Sequence, residues 1–357
     1  MKDFKKEFPV LQKFTYLNTA SCGLLSQSLV DWRRQHDMNL LEGGSVFRDK
    51  HREHLKIIRN SVCRFFNASE NEVALIPNFS FGMNTLMDGF PKGAKILLLE
   101  KDYPSVNWAV ENRDFEVCYA KVDENLEDNI NQAITENQPD VFAFSIVQYT
   151  SGIIIDFEFL NQLKAYHPEL LLVADGTQFL GTTNFNFSES AIDILGASTY
   201  KWMLSGYGNG LLMIKSEVHN KIIPKTIGFN SAEAAFSKRD EIEFIKRFEP
   251  GHQDTLNYGS LEQSILNFEQ LGMERVSEEI KKLSNLAKLR FSEEGLLDKT
   301  VANRAEHSNI FNLKGDSQQY QKLKDNGIIC SQRGNGIRVS FHYYNNESDL
   351  EKLLSCF

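Results

Sequence analysis

A chain of 357 residues, 41% hydrophobic and 24% charged, carries enough apolar material for two domains or for one large domain with a smaller lobe. Its net charge of −9, with no Lys/Arg block and no repeated basic-aromatic pattern, argues against a polyanion binder, so no nucleic-acid partner is expected. Five scattered cysteines without CxxC spacing fit reduced thiols better than a disulfide framework or a zinc site, and no apolar run reaches the roughly 20 residues needed to span a bilayer. The opening, MKDFKKEFPV, lacks the apolar stretch of a signal peptide. A soluble cytoplasmic protein with no membrane partner and no metal is therefore expected.

In chain order, residues 26–40 and 49–66 read as helices. From about Glu72 to Ile214 short apolar runs of strand length alternate with amphipathic stretches. The runs are EVALIP (72–77), KILLLE (95–100), FEVCYA (115–120), VFAFSIV (141–147), LLLVAD (170–175), AIDILGAS (191–198) and NGLLMI (209–214). Several are apolar on successive residues, as strands covered on both faces are. Helical patterns such as DENLEDNINQAITEN and DFEFLNQLKAYHPEL fall between them. That alternation predicts an α/β fold, a mainly parallel seven-stranded sheet with helices on both faces. Beyond Glu249 the texture changes: helices over 260–297, short strands in NGIICSQR and GIRVSFHYY, and a final helix in NESDLEKLLSCF. The expected division is a large domain over 15–248 and a smaller α+β domain from 1–14 and 249–357.

Ligands of open α/β sheets bind beyond the carboxyl ends of the strands, so the polar residues that follow each strand are the candidates. Ser80, in PNFSFGMN, stands where a helix begins; it is either an N-cap or, with the unpaired N–H groups there, a phosphate seat. Tyr103 follows the second strand and is either a partly buried structural ring or one that stacks on a flat heterocycle. Gln148 and Tyr149, in VQYTSG, form either a simple turn or a pair able to hydrogen-bond a ligand. Asp175 ends a very apolar strand, with Gln178 three residues on. A carboxylate there is a helix N-cap or the partner of a buried cation such as a protonated ring nitrogen.

Then comes GASTYKW. In extended chain Ser198 and Tyr200 share a face and Lys201 takes the other, so a turn is needed for all three to meet one ligand. A lysine among apolar groups has a lowered pKa and becomes an amine nucleophile toward an aldehyde. A phosphate seat, a stacking ring, a carboxylate for a ring nitrogen and a Schiff-base lysine are together what pyridoxal 5'-phosphate requires of a protein.

The order NFSFGMN, DYPSVNW, ADGTQ, STYKW, FEPGH, GIRVS resembles the class V aminotransferase family of pyridoxal-phosphate enzymes, from YLNTASCG to YYNNESDL. That family includes cysteine desulfurases, selenocysteine lyase-like proteins and isopenicillin-N epimerase-like proteins. The resemblance implies the type I fold of pyridoxal-phosphate transferases, with Lys201 as the cofactor lysine and proton shuttle. Asp175 would keep the ring nitrogen protonated and Gln178 would contact the ring's phenolic oxygen. Ser80, Ser198 and Tyr200, with backbone N–H groups near Phe79 to Phe81, would hold the phosphate. Family members often carry His at the positions of Tyr200 and Tyr103; a phenol can still donate to phosphate and stack, but serves less readily as an acid-base group near neutral pH. Arg338 would take the substrate α-carboxylate, with Arg333 as a second contact and Asn18 to Ala20 as substrate neighbours. His252 stands where a family threonine reaches the phosphate of the neighbouring subunit, which implies a homodimer with the active site at its interface.

The reaction expected is chemistry at the α-carbon of a small amino acid, as a transaminase or lyase, with desulfurase or selenocysteine lyase-type C–S(e) cleavage as the alternative. A desulfurase needs a mobile thiol ahead of the carboxylate arginine. The one cysteine nearby, Cys330, lies in the apolar run GIICSQR and reads as core. A nucleotide-binding Rossmann protein is disfavoured because no GxGxxG follows the first strand. A degenerate fold without catalysis is disfavoured by the joint presence of Lys201, Asp175 and Arg338.

Overall fold

The computed structural model describes residues 4–232 and 235–357. Its strands are β1 (Thr15–Tyr16), β2 (Val73–Ile76), β3 (Lys95–Leu99), β4 (Glu116–Ala120), β5 (Val141–Ser145) and β6 (Leu171–Asp175). They continue as β7 (Ile194–Ser198), β8 (Gly210–Ile214), β9 (Ile310–Lys314), β10 (Ile328–Ile329), β11 (Ser331–Arg333) and β12 (Gly336–Ser340). Each of the seven apolar runs read from the sequence holds one strand of a seven-stranded sheet, in the order β2-β8-β7-β6-β5-β3-β4. All neighbours in it pair parallel except β8, which is antiparallel to both β2 and β7.

Pleating divides each strand between two cores. Val73, Leu75, Leu97 and Leu99 join the larger apolar cluster, while Ala74, Ile76, Ile96 and Leu98 join the second. This is why the runs lack polar alternation: both faces are roofed by helices, and every residue of β5, β6, β7 and β8 is buried. β4, at the edge, exposes Glu116 and Tyr119.

The topology chooses the place of the site. From β3 the chain moves outward to β4, then returns to place β5 on the other side of β3 and continues through β6 and β7. That reversal between β3 and β5 is the switch point at which the loops beyond the strands part and leave a crevice.

Beyond the sheet, two long helices, Thr255–Leu271 and Met273–Glu293, lead to an antiparallel sheet of order β11-β12-β9. β9 and the helix Ser317–Asp325 are elements the periodicity did not predict: IFNLK is short, with one polar residue inside it, and QQYQKLK buries only Leu323. The parallel pair of β1 with β10 draws residues 15–16 to 328–329, so the two distant ends of the chain meet.

Candidate active site

Three strand ends supply the acidic floor. β6 ends in Asp175, buried at 5% exposure, whose Oδ1 accepts from the Thr177 N–H at 2.8 Å. Just after β3 stands Asp102, also buried, accepting from the N–H of Tyr103 at 2.6 Å and of Ser145, the last residue of β5, at 2.7 Å. Asp102 thus clamps β3 to β5 at the switch point. Burial pushes both carboxyl groups above the usual carboxylate range; the Thr177 hydrogen bonds and Lys201 pull Asp175 back, and the Asp102 charge raises it further.

Lys201 lies three residues beyond β7 and is 5% exposed. Its Nζ sits 5.6 Å from the ring centres of both Tyr103 and Tyr200, within the range of cation–π contact. Burial lowers its pKa below the ordinary lysine value, Asp175 opposes the change, and the positive charges of Arg338 and Arg333 add to it. The turn after it is tight: Leu204 has φ 57° and Gly206 φ 74°. A second non-glycine with positive φ, Lys101 at 56°, aims Asp102 and Tyr103.

The segment 18–23 covers this cluster. The Gly23 N–H donates to the Tyr200 carbonyl at 3.1 Å, and the Ala20 N–H donates to Ser340 Oγ at 3.1 Å. Gln178 is committed at both ends of its amide, Nε2 donating to the Ala20 carbonyl at 3.0 Å and Oε1 accepting from Trp202 Nε1 at 2.8 Å. Asn18 Oδ1 accepts from Ser331 Oγ at 2.5 Å.

Arg338, in β12, is 3% exposed. Its Nη1 donates to the Tyr149 carbonyl at 2.6 Å and its Nη2 to Ser21 Oγ at 2.5 Å, while Nε has no partner. Among the described residues no carboxylate pairs with it. Burial, with the nearby charge of Arg333, brings its pKa down to about 10. Beside Asp102, Gln148 Nε2 is a buried donor without a hydrogen bond of normal geometry. Tyr149 sets its ring edge-on to Tyr103, centroids 5.3 Å apart.

The helix Phe79–Met87 begins between β2 and β7, and its N-cap is Asn78, not Ser80: Asn78 Oδ1 accepts from the Phe81 N–H at 2.9 Å. Ser198, at the end of β7, accepts from the Phe79 N–H at 2.9 Å. Two of the N–H groups assigned to phosphate are thus already paired within the chain. Ser80 itself is exposed, 2.7 Å from Ser105 Oγ, at the rim of an open concavity of about 610 Å³. Tyr200 is half-buried and stacks on exposed Tyr207 at 4.5 Å. His252 stacks on Phe229 at 4.6 Å and lines a different concavity with Arg48, Lys56 and Lys246.

The fold therefore gathers Lys201, Asp175, Tyr103, Tyr200, Gln148, Gln178, Ala20 and Arg338, while His252 faces elsewhere on this chain. Sequence reasoning missed Asp102, Ser21 and Thr177. Asp102 follows an apolar strand as Asp175 does, so the same rule applied to EKDYP would have found it. Ser21 carried no local signal: its contact with Arg338 spans 317 positions.

Chemically, the pocket offers an amine whose pKa burial lowers toward neutrality, an acid held in a low-dielectric floor, and a guanidinium in want of an anion. Residues 25–353 match the family model for class-V aminotransferases. An uncharacterized aminotransferase of Bacillus subtilis is 21% identical, covering 98% of this chain and 95% of that one. A probable cysteine desulfurase of Borreliella burgdorferi is 22% identical over 99% of this chain and 94% of its own. Among solved structures, a C-DES mutant with glycine covalently linked to its PLP cofactor superposes with a TM-score of 0.88 at 19% identity, covering 98% of this chain and 97% of that one. With the family match running over nearly its whole length, this chain belongs to the class-V aminotransferase family, whose enzymes depend on pyridoxal phosphate.

Proposed function

We propose that this enzyme binds pyridoxal 5'-phosphate through Lys201 and acts at the α-carbon of a small amino acid, as a transaminase or a lyase. The residues fit that cofactor. Asp175 offers a buried carboxyl for a ring nitrogen, Tyr103 a ring 5.6 Å from Lys201 Nζ, and Gln148 Nε2, beside Asp102, a buried donor without a hydrogen bond of normal geometry. The cofactor, when bound, supplies a ring that stores the electron pair released at the α-carbon.

The chain's own residues do the rest. With the cofactor bound, Lys201, whose burial shifts its amine toward the neutral form, would be the residue attached to the aldehyde, and the same amine would take and return the α-proton. Asp175 would hold a proton at the ring nitrogen of the bound cofactor, and the burial of its carboxyl would strengthen that contact. Ser80 with its exposed hydroxyl, Ser198, Tyr200 and the first turn of the helix after Asn78 form the phosphate seat, where the helix terminus favours negative charge. Arg338 receives the α-carboxylate, which supplies Nε with its missing partner. The segment 18–23 closes over the substrate and excludes water.

The observation that carries this reading is Arg338, a buried guanidinium with no anionic partner among the described residues, in the same pocket as a buried lysine–aspartate pair. Desolvating an unpaired guanidinium is costly, and a substrate carboxylate offsets that cost. Cleavage of C–S or C–Se bonds with Cys330 as acceptor has less support: that thiol is buried and pushed up to about 11, so it stays protonated and shielded. Burial likewise raises the Tyr103 phenol, which keeps it a hydrogen-bond donor rather than a base. Exposed Tyr207 beside Tyr200, and exposed Phe229 beside His252, support a homodimer that covers these rings and completes the site. Five free thiols fit the reducing cytoplasm.

Absorbance of the purified protein loaded with pyridoxal phosphate tests the assignment. The wild type is expected to show a visible band that borohydride removes, and Lys201→Ala to lack both the band and turnover while its far-UV circular dichroism is unchanged. A Lys201→Ala protein that keeps band and turnover would overturn the proposal.

A further inference from the structure

Resting on the reading above, the substrate side chain can be taken one step further, because the site holds a second guanidinium. β11 and β12 form a hairpin in which Ser331 lies opposite Arg338 and Arg333 opposite Gly336. Side chains alternate along a strand, so Ser331, Arg333 and Arg338 stand on one face, with Arg333 the diagonal neighbour of Arg338. The tip of the hairpin is held from two directions. Asn312 Nδ2 donates to the Arg333 carbonyl at 3.0 Å, and a Cβ on Gly334 would lie 3.3 Å from the Thr150 methyl. The backbone of Arg333 is thus fixed beside the Tyr149–Thr150 turn, while its side chain is exposed and has no ion pair among the described residues. Its charge reaches Lys201, Arg338 and Tyr103.

The α-carboxylate brings one negative charge, and Arg338 takes it. The cofactor's phosphate would be held at the start of the helix after Asn78, by Ser80 and Ser198. A substrate with a neutral side chain leaves the exposed Arg333 guanidinium, on the hairpin face it shares with Arg338, without an anionic partner. We propose that the preferred substrate is an amino acid with a second anionic group on its side chain, a carboxylate or a sulfinate, which pairs with Arg333 while Arg338 holds the α-carboxylate. Arginine suits both tasks, since its planar fork matches an oxyanion with two parallel hydrogen bonds.

The test uses the holoenzyme and spectral titration at equilibrium with L-aspartate, L-glutamate and L-cysteine sulfinate, against L-asparagine and L-alanine. At least one acidic amino acid is expected to half-saturate at a concentration about tenfold below that of asparagine, as one added charge-assisted contact gives. Arg333→Gln is expected to erase that preference, and Arg333→Lys to restore part of it. Asparagine binding as tightly as every acidic amino acid would overturn the inference, as would a preference that survives in Arg333→Gln. Equal weakening of aspartate and asparagine by Arg333→Gln would also overturn it, by making Arg333 a second α-carboxylate contact. If no amino acid shifts the spectrum, or Arg338→Gln changes no titration, the reading of the site itself fails, and the two failures are thereby told apart.

Discussion

Gly23 shows how closely the N-terminal segment is fitted to the backbone at Lys201. A Cβ there would collide with the carbonyl oxygen of Lys201 and come within 2.5 Å of that of Tyr200, both backbone atoms that cannot swing aside. Gly23→Ala is expected to lift residues 18–23, breaking the Gln178–Ala20 and Ser21–Arg338 hydrogen bonds. The expected cost is about 1–3 kcal/mol of stability from overpacking. The amino acid needed to half-saturate the holoenzyme is expected to rise at the same time. Thermal melts together with spectral titration check this; a variant unchanged in both would show that the segment does not rest on Lys201. At this scale the sequence pointed to Asp175, which closes the apolar strand β6, and to Lys201, three residues past β7, because both stand out in local patterns. It did not disclose that Gln178 spends both ends of its amide on Ala20 and Trp202, because those partners come from other parts of the chain.

The helix His51–Phe66 is joined to the sheet by one ionic contact. Arg59, 7% exposed, donates from Nη2 to both oxygens of Glu249 at 2.7 and 2.8 Å and also bonds the Val73 carbonyl. Glu249, 2% exposed, accepts in turn from the Leu75 N–H at 2.9 Å and from Lys246 at 3.2 Å. Helix, β2 and the stretch entering the last third of the chain are thus tied at a single carboxylate. Arg59→Ala leaves that carboxylate buried without its main partner and is expected to cost about 3–5 kcal/mol, read as a lower urea midpoint. The double variant Arg59→Met, Glu249→Met is expected to recover much of the loss, because it removes the stranded charge; no recovery would place the cost in lost packing instead. The sequence marked this helix by its 3.6-residue period and β2 by its apolar run. Their tie to Glu249 was not legible, since the pair is 190 positions apart and each member alone resembles an ordinary surface charge.

Over the whole molecule, two histidines make stability depend on pH. His342 is fully buried in its neutral tautomer, Nε2 donating to the Trp202 carbonyl at 2.9 Å and Nδ1 accepting from the Tyr343 N–H at 2.8 Å. His307 Nε2 meets the Ile310 carbonyl at 2.8 Å. Burial pushes each pKa from 6.5 down to about 4. At these two sites the unfolded chain binds more protons than the folded one in that window, so their contribution to stability rises with pH across it. The contribution is fully present above 6.5 and is lost as pH falls toward 4. Relative to wild type, His307→Gln is expected to lose less of its urea midpoint as pH falls from 6.5 toward 4; an unchanged pH dependence in that variant would refute the assignment. What the sequence determined unaided was the inventory: the seven strands of the large sheet, helices between them, and the polar residues that close the strands. Hydrophobic period and strand-end chemistry are local, and they survive in a linear reading. Only the tertiary structure decided which strands became neighbours, and hence that Asp102 meets Ser145 at the switch point and that Ser21 meets Arg338. Those contacts depend on how buried faces pack across hundreds of residues, and no local pattern encodes the choice.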